Sequence, residues 1–116
     1  MKLNSDLYCY KITEVLRVVD GDTLDVMIDL GFDIHVKKRI RLNGIDAPEC
    51  RTRDLEEKKR GLAAKDKLKE LCSEGSLVVK SCGIGKYGRV LGEIYTRGVN
   101  INNILLSEGH AVQYHK

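Results

Sequence analysis

Residues 24–42 read LDVMIDLGFDIHVKKRIRL, and apolar residues alternate with polar ones on either side of a Gly-Phe-Asp turn. Successive side chains of a β-strand point to opposite faces, so the alternation predicts two half-buried strands at 24–30 and 34–42. Lys38 interrupts the inward-facing set of the second strand, which predicts a bulge or an edge position there. The same strand carries a basic strip without any acid, a pattern that can attract a polyanion but is more commonly a solvated face. The strip consists of His35, Lys37, Lys38, Arg39 and Arg41.

Hydrophobic periodicity predicts three further strands and two helices. The strands cover 8–19, 76–81 and 90–96, a long helix covers 53–72, a short helix covers 102–108, and the tail from 111 onward is expected to be extended or loose. The fold class is thus α+β and mainly β. Five strands, with a long helix between the third and fourth and a short helix after the fifth, match a five-stranded OB-fold barrel. Periodicity alone leaves other α+β layouts open. The stripe expected to bury the long helix comprises Leu55, Leu62, Ala64, Leu68, Leu71 and Cys72.

The composition is that of a compact globular protein. The chain has 116 residues, 42% apolar and 32% charged, which predicts a single domain over 1–116 with its core in about 8–111. The net charge of +3 does not by itself require a nucleic-acid partner.

No apolar run is long enough for a membrane span, and no secretory signal is visible, so a cytoplasmic location is expected. The four cysteines lack zinc-ligand spacing, so reduced thiols are expected, with Cys9 and Cys72 buried.

Two segments place carboxylates where a strand ends or a turn begins. Val-Asp-Gly-Asp-Thr at 19–23 follows the first strand, and Arg-Leu-Asn-Gly-Ile-Asp-Ala-Pro-Glu at 41–49 runs from the end of the third. Asp22 and Asp46 have the chemistry of ligands for a hard cation such as calcium or magnesium, although short acidic turns more often bond their own backbone. Glu49 could accept a proton from attacking water, or simply place negative charge near the start of the long helix.

A third segment, Lys-Tyr-Gly-Arg at 86–89, adds cations and an aromatic ring in a glycine-rich loop. Arg41 and Arg89 could each donate paired hydrogen bonds to phosphate oxygens, or could be ordinary surface arginines. Lys86 beside Tyr87 suits a phosphate next to a stacked base. Each of these signals is weak when it is taken alone.

Together, the three segments resemble the staphylococcal nuclease (thermonuclease) family, and their order and the intervening helix match that family over roughly 12–111. The resemblance implies a five-stranded OB barrel and calcium-dependent hydrolysis of DNA or RNA, in which water attacks phosphorus and leaves 3′-phosphate and 5′-hydroxyl ends. It also implies nucleic acid as the partner, with single strands preferred. The implied site comprises the calcium ligands Asp22, Asp46 and the Ala47 carbonyl, the catalytic residues Arg41, Glu49 and Arg89, the substrate contacts Lys86 and Tyr87, and Asp20, an acid behind the metal ligands.

The chain departs from the family's pattern near its end. It stops at Lys116, soon after the short helix, where the founding member carries a third helix, so a monomer or a weak dimer that completes the core is expected. The family's C-terminal nucleotide-binding tyrosine has only Tyr114 as an out-of-register counterpart. The alternative function is a catalytically silent OB module that binds single-stranded nucleic acid or a protein. Such a module is expected to have lost some of the metal and catalytic residues, and none is lost here.

Overall fold

The computed structural model describes residues 8–114, and the ends of the predicted domain at 1–7 and 115–116 lie outside the described residues. The strands are β1 (Cys9–Asp20), β2 (Thr23–Gly31), β3 (Ile34–Leu42), β4 (Ile45–Asp46), β5 (Leu77–Ile84), β6 (Val90–Thr96), β7 (Val99–Asn100) and β8 (Val112–Gln113), and the helices are α1 (Leu55–Cys72) and α2 (Ile101–Ser107).

Strand pairing closes the sheet into a barrel. β1 pairs with β2 and β5, β2 pairs with β3, and β5 pairs with β6, all antiparallel. Parallel pairing of Ile40–Leu42 with β6 then joins the two ends of this sheet. The result is a closed five-stranded barrel with two helices, which confirms the predicted OB-like, mainly β fold. The long helix lies between the third and fourth barrel strands, and the short helix follows the fifth, as expected.

Apolar residues of the strands fill the barrel, and α1 packs against β1. Leu24, Ile40 and Ile94 are fully buried in the sheet, and Ala64 and Leu68 are fully buried on α1. Full burial of a large aliphatic side chain is worth about 1.5–3 kcal/mol. This packed interior holds the strand ends at which the candidate site residues lie.

Two glycines allow α1 to approach the segments that carry the candidate acids. A Cβ on Gly21 would lie 2.5 Å from the Cβ of Ala64, and a Cβ on Gly61 would lie 2.4 Å from the carbonyl oxygen of Glu49. Because only glycine lacks a Cβ, only glycine permits this spacing. The β1–β2 turn and the segment around Glu49 therefore both pack closely against α1.

The hairpin of β2 and β3 extends past the barrel, and burial there differs from the prediction. The alternation places Leu30 on the same side as Leu24, and Ile34 on the inward side with Ile40. Leu30 and Ile34 are nevertheless exposed, because β6 covers β3 only from Ile40 onward. Lys38 lies at an edge position, as one alternative predicted, and the β2–β3 register continues past it without a bulge.

Three other predicted burials are wrong. Leu55 and Leu62 are exposed because α1 turns the face of Ala64 toward the barrel, and Cys9 is exposed at the start of β1. The tail is extended, as one of the two alternatives predicted, since Val112–Gln113 forms a short strand that pairs with β4. Among residues 8–114, no helix is both long enough and apolar enough to cross a membrane.

Candidate functional site

Asp22 lies in the turn between β1 and β2, with only 6% of its surface exposed. Its carboxylate accepts one hydrogen bond from the Thr23 hydroxyl and one from the Ala47 N–H, each at 2.8 Å. Its carbonyl oxygen accepts a third from the Leu42 N–H, also at 2.8 Å. The carboxylate therefore connects the turn to a segment 25 residues away. Asp22 is thus not an acidic turn residue that bonds only its own turn, which was the alternative interpretation.

The backbone around Glu49 is anchored from two sides. Asp20 accepts a hydrogen bond from the Cys50 N–H at 3.2 Å, and Glu57 of α1 accepts one from the Glu49 N–H at 3.2 Å. The Glu49 side chain is exposed. Asp54, rather than Glu49, caps α1 by accepting hydrogen bonds from the first N–H groups of the helix. The backbone is thus fixed in place while the Glu49 carboxylate faces solvent.

The buried thiol of Cys50, next to Glu49, acts neither as a nucleophile nor as a metal ligand. Burial raises the pKa of Cys50 to about 11, and the hydrogen bond with Asp20 adds to the rise. The thiolate is the nucleophilic and metal-binding form of cysteine. Because Cys50 stays protonated at neutral pH, we assign it to packing.

Arg41 extends from the end of β3 between two aspartates. Its Nη1 donates to the Ile45 carbonyl oxygen at 2.7 Å and lies 3.5 Å from a carboxylate oxygen of Asp22. Its Nη2 lies 3.3 Å from a carboxylate oxygen of Asp46. The guanidinium carbon is 5.5 Å from the ring centroid of Tyr114. The side chains of Arg41 and Asp22 are only 16% and 9% exposed, whereas Asp46 is 54% exposed. The guanidinium and the two carboxylates therefore form one charge cluster that is desolvated at Asp22 and open to solvent at Asp46.

A cleft of about 350 Å³ opens beside this cluster. Arg41 and Arg89 both line it, together with Lys86 and Tyr114. Tyr114 is held there because its N–H donates to the carbonyl oxygen of Gly44 at 2.9 Å. A cavity of this size is within the range that small-molecule ligands occupy. The structure thus brings three of the predicted cations and the uncertain tyrosine around one cavity.

Six of the predicted site residues are not part of the lining of this cleft, namely Asp20, Asp22, Asp46, Ala47, Glu49 and Tyr87. Tyr87 lies in the short 3-10 turn Lys86–Gly88 with a left-handed φ of 61°, and its ring is almost fully exposed. The roles predicted for these and the other site residues stay predictions.

The oxygen atoms near Arg41 are of the kind that calcium and magnesium select, namely carboxylates and a backbone carbonyl. The two hydrogen bonds to Asp22 leave further lone pairs on its carboxylate, and the Asp46 side chain is 54% exposed. Within the part of the chain that the structure describes, no three acidic, histidine or cysteine side chains group together. The two aspartates therefore offer the oxygen chemistry that suits a hard cation, and the Ala47 carbonyl stays a predicted third ligand.

Asn102 positions this region, although the sequence did not single it out. Its buried amide donates to the carbonyl oxygens of Asn43 at 3.0 Å and Gly92 at 3.2 Å, and it accepts a hydrogen bond from the Ile94 N–H at 3.3 Å. It thereby joins α2 to β6 and to the loop after β3. An asparagine beside the apolar residues of a short helix is the signal that could have found it, because a buried amide requires partners.

Comparison with known proteins identifies relatives of this chain. A family model described as staphylococcal nuclease homologue matches residues 39–116. The chain is 36% identical over 101 residues to a protein named Uncharacterized endonuclease from Escherichia coli, a match that covers 86% of this chain and 59% of that protein. It is 34% identical over 110 residues to Micrococcal nuclease from Shigella flexneri, covering 87% and 57%. It is 32% identical over 98 residues to Endonuclease YncB from Bacillus subtilis, covering 82% and 44%.

The chain spans less than two thirds of the length of each of these relatives. The family model nevertheless covers well over half of the chain, from the end of β3 onward, and includes the segments at 41–49 and 86–89. Arg41 and Ala47 of the first of these segments contact Asp22, which precedes the matched region. On this combined evidence of sequence and fold, the chain belongs to the staphylococcal nuclease homologue family.

Proposed function

We propose that this protein is a calcium-dependent nuclease that hydrolyses phosphodiester bonds of DNA or RNA, with a preference for single strands. The observation that carries the proposal is the position of Arg41, which contacts the carboxylates of Asp22 and Asp46 and lines the same cleft as Arg89. Groups suited to an anion and groups suited to a cation therefore meet at one place. Membership of the family and relatives named as nucleases support the same reaction.

Arg41 and Arg89 would bind the non-bridging oxygens of the scissile phosphate. Both line the cleft, and a guanidinium matches phosphate oxygens with paired, charge-assisted hydrogen bonds. As water adds to phosphorus, negative charge on these oxygens grows and the hydrogen bonds strengthen. Loss of one donor that acts in this way slows a reaction on the order of 100-fold or more.

Asp22, Asp46 and the Ala47 carbonyl would hold the cation, which when bound supplies Lewis-acid stabilisation of the phosphate charge. Asp20 would support them by holding the segment that follows Ala47. Glu49, exposed on a fixed backbone, would accept the proton of the attacking water. The bond from water oxygen to phosphorus forms as the bond from phosphorus to the 5′-oxygen breaks. The leaving oxygen takes up a proton, which gives 3′-phosphate and 5′-hydroxyl ends.

Substrate recognition would fall to the remaining predicted residues. Lys86 and Tyr114 line the cleft, so they would contact the nucleotide whose phosphate is attacked. Tyr87 is exposed on the adjacent turn, where it would contact the strand outside the cleft. A groove that combines cations with aromatic faces suits single-stranded nucleic acid because every base has a π-face.

Hydrolysis of single-stranded DNA by the purified protein tests this proposal, with millimolar calcium, with magnesium and with a chelator. We expect calcium-dependent cleavage that Glu49→Gln and Arg89→Ala each reduce on the order of 100-fold or more. Glu74→Gln, just beyond the end of α1, and Arg97→Ala, beyond the opposite end of β6, make the same charge changes at exposed positions. These two controls should cleave at the wild-type rate.

The products and the metal requirement separate the possible outcomes. Release of inorganic phosphate from the fragments by a 3′-phosphatase supports the proposed direction of cleavage. Undiminished cleavage in chelator would overturn the cation requirement. Tight DNA binding without cleavage under any metal would overturn the nuclease proposal and would place the protein among catalytically silent binding modules.

A further inference from the structure

The first half of β3 has an open edge beside the candidate site. β3 pairs with β2 along its length, but it pairs with β6 only from Ile40 to Leu42. Among residues 8–114, no other strand covers that edge before Ile40. The chain on the β6 side instead turns away through Lys86–Gly88. A second cleft, of about 600 Å³, lies between this edge and the turn.

This second cleft is strongly basic. No acid occurs among the described residues that line it, which are Lys37, Lys38, Arg39, Tyr87, Gly88 and Arg89. Arg39 is already paired, since its Nε lies 2.7 Å from a carboxylate oxygen of Asp25 on β2. The strand partners of Lys37 and Lys38 are Met27 and Val26, so neither lysine has an acid directly opposite.

The two lysines flank the open edge from both sides. Successive side chains of a strand leave on opposite faces, so Lys37 and Lys38 project above and below the same edge. Both are exposed, and neither forms an ion pair with another described residue. The basic strip read from the sequence is therefore divided. Arg39 and Arg41 are bound to aspartates, whereas this pair of ammonium groups is available to an anion.

The second cleft adjoins the first at Arg89, which lines both clefts. Arg41 of the first cleft and Arg39 of the second are two positions apart on β3, about 7 Å along the strand. A chain of phosphates with one member held at Arg41 and Arg89 therefore has its next neighbours within reach of Lys37 and Lys38.

We propose that Lys37 and Lys38 bind a phosphate next to the one that is cleaved, so that the substrate is a polynucleotide strand lying along the open edge of β3. This rests on the proposed function, which places the scissile phosphate at Arg41 and Arg89. It identifies the substrate class more closely, because a protein with this second phosphate site favours a strand of several nucleotides over a single nucleotide ester.

The test is binding of a fluorescent twelve-nucleotide single strand and of thymidine 3′,5′-bisphosphate, measured in chelator at several salt concentrations. Each phosphate contact to a single strand contributes about 0.7 to the slope of log affinity against log salt. Lys37→Gln/Lys38→Gln, which removes one phosphate contact, should therefore reduce the steepness of that slope by about 0.7 for the twelve-mer, and its affinity on the order of 5-fold at 0.1 M salt. The bisphosphate should lose much less. Lys58→Gln/Lys59→Gln, exposed on α1 outside both clefts, makes the same charge change and should leave the twelve-mer slope unaltered.

The outcomes separate this inference from the proposed function. If the wild type cleaves DNA but the Lys37/Lys38 variant keeps the wild-type slope and preference for the longer strand, the second phosphate site is wrong and the nuclease proposal stands. If the wild type binds the twelve-mer with the expected loss in the variant but never cleaves it, the site is supported and the nuclease proposal is wrong. If the Lys58/Lys59 control loses as much slope and affinity for the twelve-mer, the effect comes from overall charge, and the second phosphate site is wrong.

Discussion

Replacement of Gly61 by alanine should destabilise the protein, although alanine favours a helix more than glycine does. Helix propensity alone predicts a gain of about 1 kcal/mol. A Cβ at this position, however, would lie 2.4 Å from the carbonyl oxygen of Glu49 and 2.9 Å from that of Pro48. Relief to an ordinary contact of 3.4 Å requires α1 and this backbone to separate by about 1 Å. Overpacking of a core typically costs about 1–3 kcal/mol, so after the propensity gain we expect a net loss of up to about 2 kcal/mol.

Urea unfolding followed by far-UV circular dichroism measures this change. Ala63→Gly, at an exposed position two residues away on the same helix, changes propensity in the opposite direction without a close contact and should lose about 1 kcal/mol. Both variants should thus be less stable than the wild type. Only Gly61→Ala should also lower the cleavage rate, because it displaces the backbone of Glu49. An unfolding midpoint of Gly61→Ala at or above that of the wild type would refute the reasoning.

Three further predictions concern other parts of the barrel. Arg39→Gln should lower stability at pH 7 by less than about 1 kcal/mol, the range for exposed pairs. The hydrogen bond from Arg39 lowers the pKa of Asp25. The stability difference between the wild type and the variant is therefore present above the unfolded-state pKa of about 3.9. In urea titrations at several pH values, this stability difference should shrink as the pH falls below that pKa. Asn102→Ala should lose about 2 kcal/mol or more by urea unfolding, because it leaves buried backbone groups unpaired, whereas the exposed Asn103→Ala should change stability by less than about 0.5 kcal/mol. Cys50, with its pKa of about 11, should react with a thiol reagent at pH 8 only as the protein unfolds in urea, whereas the exposed Cys9 and Cys82 should react in the native protein. Rapid native-state labelling located at Cys50 by peptide mass spectrometry would contradict its burial.

The barrel could be predicted from the sequence because its strands carry a strong alternation, and the long helix because its length and cap are local features. Burial within these elements was predicted less well. Leu55 and Leu62 fit the apolar stripe, yet they are exposed, since the close approach at Gly61 fixes which face of α1 meets the barrel. Strands as short as Ile45–Asp46 and Val112–Gln113 have no period to detect. They form because tertiary structure brings them together.

The segments of the candidate site could be recognised in the sequence, but their contacts could not. Asp22 and Ala47 are joined by a hydrogen bond although they lie 25 residues apart, and no local pattern in the sequence indicates such a contact. Tyr87 was grouped with Lys86, yet a left-handed backbone conformation directs the two residues to different clefts. Asn102 was overlooked because one polar residue in a short helix has no distinctive pattern, and its value comes from three distant partners.

Arg41 connects the fold to the proposed chemistry because its contacts are of two kinds. Nη1 donates to the carbonyl oxygens of Leu42 and Ile45 at 3.1 and 2.7 Å, and these bonds fix the guanidinium at the end of β3. Its closest approaches to Asp22 and Asp46 are longer, at 3.5 and 3.3 Å. A phosphate in the cleft would give the guanidinium a closer anion and would release carboxylate lone pairs for a cation. Each ligand would thus favour the binding of the other, and linkage makes that effect reciprocal. The bonds to the two carbonyls explain how Arg41 could exchange its charged partners without leaving its position.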